Sequence, residues 1–199
     1  MAVPRRGDAG FTLVETAVAM IVLGVVLAVF VRAVSLMTSV TSRVTTTGIS
    51  VTQARAATDA LGRQLTTATA TNTPVQVNGT WYLEFSTDAV KAGIDRQCTQ
   101  WRYQSASGLL QYRTWSTVTL TASAWITVAT TVANDATTQP PFTVYPSDSS
   151  FLLPRVAVDL RLRTAVGSLV QTQGQYTLRN SLDAPPPGPS TVCTELGRS

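Results

Sequence analysis

A single carboxylate interrupts the most apolar stretch of the chain. Residues 10–30 read GFTLVETAVAMIVLGVVLAVF, and Glu15 is the only charged side chain from Phe11 to Val31. An ionised carboxylate is costly in an apolar environment and usually has an identifiable partner. The position of Glu15 therefore indicates a pairing role rather than ordinary packing.

The residue types for catalysis and metal binding are largely missing. The chain has no His and only two cysteines, Cys98 and Cys193, which together cannot form a usual zinc site. No phosphate-binding loop, dinucleotide fingerprint, nucleophile elbow, zinc-protease or calcium-loop pattern occurs. We therefore expect a protein that is not an enzyme and that has no cofactor or metal. In an oxidising compartment Cys98 and Cys193 are expected to form a disulfide, with unpaired thiols as the alternative.

Arginines form the remaining candidate binding surface. In RVAVDLRLR, residues 155–163, the alternation predicts a strand with Arg155, Arg161 and Arg163 on its water-facing side. This row is interpreted as a partner surface or as a solvated face. Together with Arg102 and Arg113 it could also contact nucleic acid, although the net charge of +4 is too thinly spread to indicate this.

The apolar run that carries Glu15 is long enough to cross a membrane as a helix. Its 21 residues, Phe11–Val31, would span roughly 30 Å, and Arg5 and Arg6 predict a cytoplasmic N-terminus with the rest exported. Three alternatives remain open: a secretory signal peptide cleaved after Ala33-Val34-Ser35, a plain single-span anchor, and a twin-arginine signal. None of them explains Glu15.

The short basic leader ending in Gly10, followed by Phe11-Thr12-Leu13-Val14-Glu15 and an apolar helix, resembles the signal of type IV prepilins and pseudopilins. The resemblance implies that a prepilin peptidase cleaves between Gly10 and Phe11 and methylates the new amine of Phe11. It also implies that Glu15, the fifth mature residue, faces the Phe11 amine of another subunit in a filament.

The helix is expected to continue outward to about residue 70. A stripe at steps of three and four indicates the face on which a sheet would dock: Met37, Val40, Val44, Thr47, Val51, Ala54, Thr58, Leu61, Leu65 and Ala68. Beyond it, alternating segments predict strands, with hairpins at 75–85 and 98–115, a short edge strand at 141–145, and a last hairpin from 155–163 to 168–180. The segment 124–134 is ambiguous between strand and helix.

These elements predict an α+β, pilin-like fold, in which a long N-terminal helix packs on an antiparallel β-sheet domain. The expected division is a leader (1–10), a transmembrane and filament-core helix (11–35), an amphipathic helix (36–70), an exported β-rich domain (71–183) and a Pro-rich tail (184–199) that includes an extended linker at 183–189.

Two further segments are similar to J/W-type minor pilins. They are the stretch with Ala60, Leu61, Arg63, Leu65 and Ala68, and the run from PFTVY to RVAVDLRLR. The expected function is a structural subunit, a minor pilin or pseudopilin, of a type IV pilus-like or type II secretion-like filament. The subunit would start in the inner membrane and end in a periplasmic or cell-surface filament. Its expected partners are the prepilin peptidase, other subunits, the assembly platform and the lipid bilayer. A DNA-binding competence pilin and a plain anchored exported domain are the alternatives.

Overall fold

The computed structural model describes residues 12–88, 95–181, 192–194 and 196–198. The chain divides into two compact units, Met1–Thr45 and Thr46–Ser199. One helix, α1 (Leu13–Thr67), contributes residues to both units. The described part of the first unit consists of Thr12 and the residues of α1 up to Thr45.

The larger sheet of the second unit is antiparallel and has the strand order β1-β3-β4-β5-β6, with β2 also paired to β3. Its strands are β1 (Ala70–Thr71), β2 (Val75–Val77), β3 (Thr80–Thr87), β4 (Gln97–Gln104), β5 (Leu109–Ser116) and β6 (Ile126–Ala129). The segment that was ambiguous in the sequence therefore contains a short edge strand, β6.

The smaller sheet has three antiparallel strands in the order β7-β8-β9. They are β7 (Phe142–Tyr145), β8 (Arg155–Arg163) and β9 (Leu169–Thr177). The alternation in β8 buries one face, which consists of Val156, Val158, Leu160 and Leu162. This confirms the predicted strand and the edge position of β7.

The segment 131–134 links the two sheets. Val132 forms a bridge with Leu162, and its N–H donates to the carbonyl of Gly108 at 2.9 Å. The buried Asn134 amide donates to the Asp159 carbonyl at 2.8 Å and accepts from the Arg161 N–H at 2.9 Å. A buried amide with several backbone partners stabilises this crossing between the sheets.

The hairpin between β2 and β3 turns at Asn78-Gly79. Both residues have positive φ, 49° and 77°, as a type I′ turn requires. The Asn-Gly pair is the strongest short sequence signal for such a hairpin, and its prediction is confirmed.

The core of the second unit lies between the buried face of α1 and the inner faces of both sheets. Leu61 and Leu65 of α1 are fully buried in one cluster with Phe85 and Trp101 of the larger sheet and Leu160 of the smaller one. The Trp101 indole N–H donates to the Gln64 side-chain oxygen at 2.7 Å, which satisfies the polar atom of this buried ring.

The predicted docking stripe is right only in its second half. Buried residues of α1 begin at Ser50, while Met37, Val40 and Val44 are exposed. The eight residues of β4 extend roughly 27 Å, about the length of 18 helical residues, so a sheet of this size cannot cover all 55 residues of α1.

Candidate functional site

Thr12 caps the N-terminal end of α1. It precedes Leu13, the first helical residue, and its Oγ1 accepts a hydrogen bond from the Glu15 N–H at 3.3 Å. The Thr12 carbonyl accepts from both the N–H and the hydroxyl of Thr16, at 3.2 and 3.0 Å. Free N–H groups at a helix start are stabilised by such a side chain, so Thr12 fixes where the helix begins.

Glu15 is the acidic residue in the first turn of α1. A Thr followed three residues later by Glu is the capping-box spacing, and a carboxylate in the first turn also interacts favourably with the helix dipole. Glu15 is exposed. Gly10 and Phe11, the predicted processing residues, lie outside the described part of the chain.

The apolar side chains that follow Glu15 are exposed on the isolated chain. Leu13 is 88% exposed and Met20 72%, and the most apolar window of α1 has a mean hydropathy of 2.7 with none of it buried. By length and composition α1 is able to cross a membrane. Exposed apolar surface of this extent requires lipid or other helices around it.

Hydroxyl side chains beyond the apolar run bond to their own helix. Ser35 donates to the Val31 carbonyl at 2.9 Å, Thr41 to Met37 at 2.9 Å and Thr45 to Thr41 at 3.0 Å. These hydroxyls are satisfied without water or a second chain. The helix can therefore carry Ser and Thr on its outer half and still pack against apolar neighbours.

The C-terminal residues are attached to the outer face of the larger sheet. Cys98 of β4 and Cys193 form a disulfide, and both are buried together with Trp115. The sequence had favoured this pairing. The predicted linker 183–189 lies outside the described residues.

Glu84 is a buried carboxylate beneath this C-terminal segment. It is 1% exposed and forms an ion pair with Arg198, whose two N–H groups donate to Oε2 at 2.7 Å and to Oε1 at 3.1 Å. Asn72 and Gln100 each donate one further hydrogen bond, both at 2.7 Å. The hydrogen bonds to Glu84 hold the pKa of Arg198 above its usual value. The sequence carried no signal for this pair, because 114 positions separate its members.

Gly197 is held by the same network. Its carbonyl accepts from Gln100 at 3.1 Å and from Arg113 at 3.3 Å, and Arg113 also donates to Gln100 at 2.8 Å. Burial, followed by the nearby charge of Arg102, lowers the pKa of Arg113 from its usual value. The disulfide, the ion pair and these amides together fix residues 192–198, where described, to the sheet.

The structure separates the five arginines considered as a binding surface. Arg102 and Arg113 lie on the larger sheet and stack on the Trp125 ring, with guanidinium carbons 3.8 and 4.6 Å from its centroid. The other three lie on β8 of the smaller sheet: Arg155, Arg161 and Arg163. The five do not form one continuous row.

All three arginines lie on the face of β8 that points away from the core, as predicted, but only Arg163 is exposed. Arg155 and Arg161 are half-buried, and their Nε atoms are buried. The Arg155 guanidinium lies 3.4 Å from the Phe151 ring centroid and forms an ion pair with Asp148 at 3.2 Å. A loop and neighbouring side chains cover part of this sheet face, which alternation along one strand cannot reveal.

Residues 5–31 match the family model of the prokaryotic N-terminal methylation motif. Searches of the curated proteins and of the solved structures found no match to the chain. The chain therefore carries a type IV prepilin-type signal, which supports a protein of the type IV pilin family. The match does not extend to the J/W-type resemblance of the later segments.

The motif implies processing by a prepilin peptidase and assembly with other pilin subunits. Together with the apolar start of α1 it also supports membrane anchoring. A long N-terminal helix packed through its second half on antiparallel sheets confirms the predicted α+β class and is consistent with a pilin fold.

Proposed function

We propose that this protein is a structural, non-catalytic subunit of a type IV pilus-like or type II secretion-like filament. The observation that carries the proposal is the methylation motif at residues 5–31, which contains a lone carboxylate in an otherwise apolar, exposed helix. The later resemblances favour a minor pilin or pseudopilin.

In the proposed mechanism, cleavage between Gly10 and Phe11 creates a positive amine at the start of the mature chain. Neither this amine nor the Glu15 carboxylate is tolerated alone in hydrocarbon, because each would lose its hydration without compensation. Contact between Glu15 of one subunit and the Phe11 amine of its neighbour offsets that cost and sets the register between helices. N-methylation of Phe11 retains the positive charge.

Before assembly, the apolar part of α1 is proposed to cross the inner membrane with the N-terminus in the cytoplasm and residues 46–199 outside. Arg5 and Arg6 support this orientation through the positive-inside rule. The disulfide between Cys98 and Cys193 is compatible with an oxidising compartment. The assembly platform would then transfer the subunit from the bilayer into the filament.

The intact mass and N-terminal residue of the mature protein test this proposal, in cells with and without a prepilin peptidase. A chain that begins at Phe11 and is heavier by one methyl group, found only with the peptidase, is the expected result. A start at Leu36 would instead mean an ordinary signal peptide. A start at Met1 or Ala2 under both conditions would mean a plain anchor.

The arrangement of the arginines does not favour the DNA-binding alternative. Arg102 and Arg113 are engaged with Trp125, and Arg155 is paired with Asp148. A DNA-binding subunit would lose affinity steeply as salt increases, because binding releases counterions from the phosphates. Salt-dependent DNA binding by the full chain in detergent would therefore revive this alternative.

A further inference from the structure

A cleft of about 660 Å³ lies on the outer face of the smaller sheet. Ala157, in the middle of β8, is among its lining residues, and the register places Thr143 and Gln175 beside it on the neighbouring strands. Because Ala157 is small, it leaves space between the longer side chains of Arg155 and Asp159 on the same face. The loop 138–140 also lines the cleft.

One cationic group in this cleft has no anionic partner. The Asp159 carboxylate accepts from the Gln171 amide at 2.9 and 3.0 Å and from the Gln173 amide at 3.0 Å. Among the described residues, Arg161 has no salt bridge, and its buried Nε has no hydrogen-bond partner. A guanidinium without a salt bridge can pair with an incoming anion through its terminal N–H groups.

Arg155, which also lines the cleft, has a similarly buried Nε without a hydrogen-bond partner but does form a salt bridge. Its charge is balanced by Asp148, and its guanidinium is stacked on Phe151. Among the described residues, the cleft thus holds one guanidinium without a salt bridge, Arg161, on the same strand face as the Asp159 carboxylate. Asp159 repels a polyanion such as nucleic acid much more strongly than a small ligand with one or two carboxylates.

The remaining lining combines polar and apolar groups. Thr138, Thr143, Gln173 and Gln175 supply hydroxyl and amide groups that both donate and accept hydrogen bonds, and Tyr145 adds an aromatic ring with a hydroxyl. Pro140, Ala157 and Val158 add apolar surface. A sugar suits this mixture, because it offers several hydroxyl groups beside the apolar C–H surface of its ring.

We propose that this cleft binds an acidic sugar, with the ligand carboxylate paired to Arg161 and its hydroxyl groups bonded to the amides and hydroxyls of β7 and β9. The planar guanidinium presents its donors as a fork that matches a carboxylate. The site is independent of residues 5–31, so the proposal does not depend on the filament function.

Calorimetric titration of the full chain in non-ionic detergent micelles tests the proposal, with digalacturonate as the probe. Neutral digalactose, a short Glu-containing peptide and inorganic phosphate serve as comparison probes. The expected result is binding of digalacturonate that is at least about tenfold weaker in Arg161→Gln, since one charge-assisted contact is lost.

Arg163→Gln is the matched control. Arg163 belongs to the same strand and the same face but does not line the cleft, so its loss should leave the affinity unchanged. Ala157→Leu fills the cleft without changing its charge and should also abolish binding. Unchanged thermal unfolding of these variants would show that the fold is intact.

Four results would overturn the proposal. They are no binding of digalacturonate to the wild type, equal affinity for digalactose, equal losses in Arg161→Gln and Arg163→Gln, and binding of the peptide or phosphate alone. The last result would reassign the cleft to another class of anion.

Discussion

The ring of Tyr176 on β9 lies directly against the backbone of Gly62 on α1. A Cβ added at Gly62 would lie 2.4 Å from a ring carbon of Tyr176, and the Tyr176 hydroxyl donates to the Thr58 carbonyl at 3.0 Å. Gly174 also lies against the Tyr176 ring, and a Cβ added there would lie 2.7 Å from the Tyr176 hydroxyl oxygen. The two glycines therefore form a slot that seats the ring between helix and sheet.

Gly62→Ala should destabilise the protein by about 1–3 kcal/mol, because overpacking a filled core forces the ring or the backbone to move. The change in unfolding free energy is measured by chemical unfolding of the full chain in detergent, with Trp fluorescence as the signal. Gly48→Ala is the matched control, since an added Cβ there meets nothing within 4 Å. It should be neutral, or stabilising by up to about 1 kcal/mol from helix propensity. Equal stability changes in Gly62→Ala and Gly48→Ala would mean that the Tyr176 ring leaves room for a Cβ at Gly62.

The Glu84–Arg198 ion pair gives a second prediction. Arg198→Met leaves a buried carboxylate without its cation and should cost about 1–3 kcal/mol, less than for a fully enclosed pair because Arg198 is 26% exposed. Adding Glu84→Met to this variant should recover part of the loss, because no unpaired charge then remains.

A double-mutant cycle on unfolding free energies measures the coupling between Glu84 and Arg198. We expect at least about 1 kcal/mol of coupling. Arg179→Met, at an exposed position, is the control and should change stability by less than about 0.5 kcal/mol. Additive losses in the cycle would mean that the pair contributes nothing beyond its separate contacts.

The β7–β8 loop should depend on pH through Asp148. Hydrogen bonds from the N–H groups of Ser150 and then Phe151 lower the pKa of this carboxyl, with a smaller effect from Arg155. A depressed folded-state pKa means that the stabilisation is present above the unfolded value of about 3.9 and is lost as pH falls through the folded pKa. The loop should therefore hold its conformation at neutral pH and loosen only in strong acid.

Amide chemical shifts of Ser150 and Phe151, followed during acid titration, report this transition. Both should move together with a midpoint below about 3.9. In Asp148→Asn the acid transition should be absent from both amides. A midpoint at or above the ordinary value would contradict the hydrogen-bond assignment.

Much of the fold could be predicted from local patterns. Periodicity predicted the helix and β8, and Asn78-Gly79 predicted the first hairpin, because these features depend on neighbours in the sequence. The division into two sheets depends on contacts between distant segments, such as the bridge from Val132 to Leu162. No short pattern encodes such a contact, so the sequence did not predict it.

The candidate sites show the same limit. Glu15 was recognisable because a charge in an apolar run is rare. The cap formed by Thr12 is shown by its hydrogen bond to the Glu15 N–H, which was not predicted from the sequence. The lack of a salt bridge at Arg161 depends on Asp159 turning toward Gln171 and Gln173 of the neighbouring strand β9, so it required the structure.

Two substitutions at Glu15 separate the proposed pairing with an amine from a contribution to the start of the helix. Glu15→Gln retains a residue that suits the capping box but removes the charge, whereas Glu15→Ala removes both. If the carboxylate pairs with the Phe11 amine of a neighbour, both variants should still be cleaved at Gly10 and both should fail to enter filaments. We expect at least about a tenfold reduction in filament incorporation, because an amine left unpaired in hydrocarbon is strongly unfavourable.

The fraction of mature subunit found in sheared filaments measures this incorporation. Thr12→Ala is the control, because it weakens the cap by about 1 kcal/mol and keeps the charge of Glu15. Normal assembly of Glu15→Gln, with failure of Glu15→Ala and Thr12→Ala, would instead assign Glu15 to the helix cap alone.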